Sequence, residues 1–135
     1  MTPRRSALLV LPALALSLTP VHADAAAYSW KTLTSMNGGK VQACRIPTAA
    51  PNPYKVRFRV NAVKATTKVQ GMVRRYHGAT TLSGGWTSAY IRPGNVSGVA
   101  VVSLPRGAGY TYSVGINTGQ AGNGGSFRAA DIPRC

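Results

Sequence analysis

The sequence contains no glutamate, and its only aspartates are Asp24 and Asp131. Glycoside hydrolysis by two carboxylates flanking one bond is therefore excluded in its usual form. Histidine is almost as scarce, at His22 and His77, and cysteine occurs only at Cys44 and Cys135. That set does not make a four-ligand zinc centre, and no metal or other cofactor is expected. A Ser-His-Asp arrangement would have to draw on His77 and Asp131, and no G-x-S-x-G elbow is present to present the serine. No window carries a capped apolar period of 3.6 residues long enough for a useful helix. No second apolar run follows the amino-terminal one at the length of about 20 residues that a bilayer requires.

The amino terminus is organised for export. Arg4 and Arg5 precede an apolar run from Ala7 to Leu18, and Pro20 with small residues follows. A charged region, a short apolar region and a small-residue zone make a secretory signal peptide, with a run too short to anchor in a bilayer. Val21-His22-Ala23 is the preferred break, with Ala25, Ala26 and Ala27 as alternatives. The expectation is a removed leader over 1–23 and one secreted domain over 24–135. Pro3 before the Arg pair, with no consensus after it, leaves the choice between general and twin-arginine export open. In an oxidising compartment the two cysteines pair, Cys44 with Cys135, closing nearly the whole mature chain. Loop closure on that scale is worth about 4–5 kcal/mol and fixes the carboxyl-terminal end.

Gly and Pro clusters cut the rest of the chain at short intervals, and the segments between them are rich in Val, Thr, Tyr and Ile. Strands are expected over 41–47, 55–63, 67–76, 86–92, 96–104, 109–117 and 126–132. The clearest is 109–117, with Tyr110, Tyr112, Val114 and Ile116 on one face. The 41–47 strand carries Cys44 and Ile46 together, which places the disulfide in the core or at its edge. Residues 97–117, SGVAVVSLPRGAGYTYSVGIN, resemble the E–F corner of immunoglobulin-like sandwiches, in particular fibronectin type III modules. Leu104, Pro105 and Tyr110 occupy the places of the strand-ending Leu, the turn Pro and the strand-opening Tyr. Trp30 and Trp86 do not fall where such modules carry their tryptophan. The resemblance implies an all-β, antiparallel immunoglobulin-like β-sandwich of about seven strands with one disulfide. It implies no function.

Positive charge is the abundant feature. The formal net charge of +14 falls by two, to +12, when Arg4 and Arg5 leave with the signal peptide. In KVRFRVNA, Lys55, Arg57 and Arg59 alternate with Val56, Phe58 and Val60, so one strand face is apolar and the other cationic. If 55–63 and 67–76 pair through a turn at 64–66, Lys68 and Arg74 join the same solvent face, with Arg75 beside them. Lys55, Arg57, Arg59, Lys68, Arg74 and Arg75 are thus the expected binding residues. Tyr54, Tyr76, Tyr90 and Trp86 are available as stacking platforms. Such a face suits an anionic polymer or cell surface: cell wall, acidic polysaccharide or membrane headgroups. Export and the lack of a reading motif disfavour specific nucleic-acid recognition.

Two alternatives remain. One is a secreted antimicrobial protein or protein inhibitor acting through an exposed loop, Pro47 to Pro53 or Gly119 to Gly125. The other is a small basic nuclease centred on His77, weakened by the want of a second histidine or a glutamate in the mature chain. The expected class is a non-enzymatic binding module. Asn95-Val96-Ser97 is a glycosylation sequon, relevant only in a host that uses it.

Overall fold

A computed structural model describes residues 28–49 and 52–135. The expected leader with its cleavage site, and Asp24, lie outside the described residues. Eight strands follow one another: β1 (Lys31–Met36), β2 (Gly39–Arg45), β3 (Tyr54–Asn61), β4 (Gln70–His77), β5 (Thr80–Thr87), β6 (Ala100–Leu104), β7 (Tyr110–Asn117) and β8 (Gly122–Phe127). A single 3-10 turn, Ala129–Asp131, follows β8. The strands form two four-stranded sheets, β1-β2-β3-β6 and β5-β4-β7-β8, and every pairing within them is antiparallel.

Alternation decides which faces meet. On β3, Val56, Phe58 and Val60 are fully buried, while Lys55 is exposed and Arg57 and Arg59 are half-buried on the other side. On β7, Tyr112, Val114 and Ile116 are buried, as the spacing requires. These residues and Val41, Val73, Val102 and Leu104 belong to one core shared by both sheets, so the arrangement is sandwich-like. Phe58 is its aromatic centre. Its ring stacks on Trp86 of the opposite sheet at 6.0 Å and meets Phe127 edge-on at 6.1 Å. Burying such a ring contributes about 1.5–3 kcal/mol.

The expected pairing of the second and third strand candidates does not occur. β3 pairs with β2 and β6, while β4 pairs with β5 and β7 in the other sheet. The intervening segment is not a hairpin turn, because it buries Ala62, Ala65 and Val69 as it crosses from sheet to sheet. β4 then faces β3 instead of lying beside it. A Cβ on Gly71 would stand 2.7 Å from a methyl of Val60 and 2.9 Å from one of Val41. The strand count is eight, not seven, and the differences lie at sheet edges. β1 was not expected, β5 replaces the segment expected at 86–92, and β8 precedes the one expected at 126–132. β8, GNGGSF, carries one apolar side chain, Phe127, at its end and is otherwise held by backbone pairing with β7.

Cys44 and Cys135 form the expected disulfide across a separation of 91 residues. It is not on the core side, however. Cys44 is in register with Arg57, on the outer side of the first sheet, and is fully buried there. The end of the chain docks beside it: Arg45 donates its N–H to Pro133 O at 2.7 Å, and Cys135 donates to Arg45 O at 2.8 Å. Arg45 and Arg134 are thereby joined in a parallel bridge.

Candidate anion-binding site

The six expected binding residues fall in three places. Lys55, Arg57 and Arg59 stay together on the outer face of β3, at the two-residue spacing of about 6.8 Å. Each has a partner that is not an acid. Lys55 donates to Ser103 Oγ at 2.6 Å, and Arg59 donates to Gln42 Oε1 at 3.0 Å. The Arg57 guanidinium lies 4.5 Å from the centre of the Tyr28 ring, and that of Arg59 lies 4.1 Å from the Trp30 ring. Burial lowers the Arg59 pKa, though a guanidinium starts so high that it stays charged at physiological pH. Lys68 sits at the far end of the molecule, 5.1 Å from the Tyr90 ring. Arg74 is exposed on the outer face of the second sheet, in register with Ser113.

Arg75 points inward. It donates to Ser103 O at 2.6 Å and to Ser83 O, linking β6 of one sheet to β5 of the other. The six residues do not share a face because β3 and β4 lie in different sheets. Of the four stacking candidates, Tyr54 and Tyr90 hold cations, Trp86 is spent on Phe58, and Tyr76 is half-buried on β4.

A second group of cations gathers where the sheets end near Tyr54. Arg45 closes β2, Tyr54 opens β3, Arg106 follows β6 in the turn Pro105-Arg106-Gly107, and Arg134 precedes the disulfide. The guanidinium carbons of Arg45 and Arg106 lie 4.8 Å and 4.7 Å from the Tyr54 ring centre. The Arg106 turn is held by its backbone N–H, which donates to Asn52 Oδ1 at 2.9 Å. Arg45, Tyr54, Arg106 and Arg134 line a recess of 270 Å³. Beside it lies a cleft of 440 Å³ lined by Tyr54, Tyr110, Tyr112 and Phe127, with Arg106 and Arg128 at its margin. Tyr54 and Arg106 belong to both.

The corner above the cleft is set by Tyr112, not Tyr110. The Tyr112 hydroxyl donates to Pro105 O, and burial, outweighing the nearby charge of Arg75, raises its pKa. Tyr110 packs its ring against His77 at 4.7 Å. No hydrogen bond joins His77 to Asp131 among the described residues. Asp131 instead borders a third recess with Lys31 and Arg128, and its backbone carbonyl accepts from Lys31 Nζ at 3.1 Å. Among the described residues, no acidic side chain lines either of the two recesses at Tyr54.

The loop candidates are also revised. Within Gly119 to Gly125, Gly122 onward is strand, so only a short turn projects. Of Pro47 to Pro53, residues 50 and 51 lie outside the described residues. The grouping of Arg45, Arg106 and Arg134 was not anticipated, although a clue was present: a bond between Cys44 and Cys135 requires their neighbours Arg45 and Arg134 to lie close together. No protein-family model matches the chain, and no curated protein matches it at a significant level.

Proposed function

We propose that the protein is a secreted, non-enzymatic module that binds an anionic polymer or surface, built on an immunoglobulin-like sandwich. Two features support the immunoglobulin-like form. The chain crosses between sheets so that β3 pairs with β6 and β4 with β7, and a tyrosine hydroxyl bonds back to the backbone at the β6–β7 corner.

The observation that carries the binding reading is the way the cations are held. Five of them, Arg45, Arg57, Arg59, Lys68 and Arg106, lie over aromatic rings. A carboxylate partner would fix a cation and cancel its charge. A ring face fixes it and leaves the charge in place. The chain thus has ordered positive groups at two neighbouring places, the β3 row and the Tyr54 end, linked by Lys55.

The test is retention on a sulfated or phosphorylated matrix. Retention should fall steeply as ionic strength rises past about 0.15 M, where the Debye length is about 8 Å. The Arg57→Glu/Arg59→Glu variant, checked by thermal melting to be folded, should elute at lower salt than the parent. Retention indifferent to both salt and charge reversal overturns the proposal.

A further inference from the structure

We propose that the β6 margin of the first sheet is a docking surface for an anionic lipid bilayer. The proposal rests on the anionic-surface reading and names the surface recognised.

Among the described residues, six large apolar or aromatic side chains are exposed: Tyr28, Val63, Tyr90, Val96, Val99 and Val101. Four of them border the cation row of β3. Val101, the most exposed of the six at 57%, is in register with Arg57, so the two side chains rise on the same outer side of the sheet. Val96 is bridged to Asn61, whose amide donates to Gln42 Oε1 as Arg59 does, and so stands on that side too. Val99 lies between Val96 and Val101 in the chain, and Tyr28 covers Arg57. The valines thus form a ridge one strand spacing, about 4.8 Å, from the row of Lys55, Arg57 and Arg59.

The sheet order puts β6 at a margin. With this margin facing a bilayer, the valines enter the boundary between headgroups and acyl chains. The cations stand one strand behind, at the level of the phosphates, which their long stems reach. Neither signal is strong alone. Charge draws the protein to the surface within a Debye length, and apolar burial holds it there by a contact that salt does not screen. Asp131, the one acidic side chain among the described residues, accompanies Lys31 of β1 at the opposite margin, away from the lipid phosphates.

The valines decide the occupant. A sulfated or phosphorylated polysaccharide has no acyl region to set against three aliphatic side chains. A protein partner is ordinarily anchored by aromatic and arginine side chains in fitted pockets, and valine is under-represented among such anchors. A fluid bilayer requires no fitted pocket and takes up aliphatic groups of any arrangement. A second copy, added strand to strand, would bring together two chains of high like charge. It would also find Ser103 O on β6 already accepting from Arg75 at 2.6 Å.

The experiment is co-sedimentation of the disulfide-intact protein with vesicles of phosphatidylcholine alone and of equal parts phosphatidylcholine and phosphatidylglycerol, beside retention on the sulfated matrix. The parent should sediment with the mixed vesicles and not with phosphatidylcholine. The Val99→Ser/Val101→Ser variant should lose vesicle partitioning about tenfold and keep its elution salt on the matrix. Independently, the added tryptophan of Val101→Trp should be quenched by vesicles brominated on the acyl chains. That of Thr111→Trp, in register with Tyr76 on the second sheet, should not.

Vesicle partitioning that the serine pair leaves unchanged, or equal quenching at positions 101 and 111, overturns the docking margin. Binding to phosphatidylcholine as tight as to the mixture overturns the role of the cation row. Matrix retention with no vesicle binding overturns the bilayer and leaves polymer binding standing, whereas vesicle binding with no matrix retention removes the polymer and leaves the bilayer. Self-association that the serine pair abolishes, with no vesicle binding, overturns the bilayer in favour of a second copy.

Discussion

Tyr112 shows how one polar atom sets a corner of the molecule. Its ring is buried between the sheets, and its hydroxyl donates to Pro105 O, tying the start of β7 to the turn that carries Arg106. Tyr112→Phe should cost about 1 kcal/mol, because the ring is retained and one buried acceptor loses its donor. The cost should depend on pH. Burial raises the folded pKa of Tyr112 above its ordinary value of about 10, so the folded state holds this proton where the unfolded chain has released it. Stability then falls as pH rises from about 10 through the folded pKa, and the phenylalanine variant lacks that fall. Urea midpoints at pH 8 and pH 11 should show the gap between the two proteins narrowing at the higher pH. A gap that stays constant would separate the hydroxyl from the fold. Periodicity places Tyr110 and Tyr112 on the same strand face, and they differ only in distance from the turn. Which of them reaches Pro105 depends on where β7 begins, a detail that alternation does not carry.

The strands that alternation located best are central ones. β3 and β7 bury every second residue, so composition and structure report the same face. β1, β5 and β8 are edge strands. Each is paired along one side only, and their sequences reflect turns and solvent more than a core. β8 illustrates the physical reason. Its glycines resemble a loop, yet a Cβ on Gly124 would stand 2.4 Å from Val114 O, so β7 and β8 approach too closely there for a side chain. The Gly124→Val variant should be destabilised by about 1–3 kcal/mol, as in an overpacked core. A Cβ on Gly125 meets nothing within 4 Å. Gly125→Ala should be neutral, or stabilise by up to about 1 kcal/mol through the unfolded chain. Denaturant titrations of the two variants test the strand directly. Equal, small effects would mean that 122–127 is not paired along its length.

At the scale of the whole molecule, the all-β class and the disulfide were legible because they rest on composition and on a cysteine count that permits one intramolecular pairing. The crossing between sheets was not, since it is decided by Ala62, Ala65 and Val69 choosing burial over a turn. The Tyr54 site was hidden for a related reason. Arg45, Arg106 and Arg134 stand at strand ends and turns, where no period marks them, and only the folded chain brings them together. Their placement gives the disulfide two roles. As a crosslink across 91 residues it stabilises by up to about 4–5 kcal/mol through loop closure. As a neighbour of Arg45 and Arg134 it also holds their backbones side by side. In the Cys44→Ser/Cys135→Ser protein, held well below its lowered melting temperature, Arg134 is freed from its bridge. The salt needed to elute the variant from the anionic matrix should then fall, because the charge is unchanged and only its arrangement is lost. If the variant melts at a lower temperature yet elutes at the same salt as the parent, the crosslink serves stability alone.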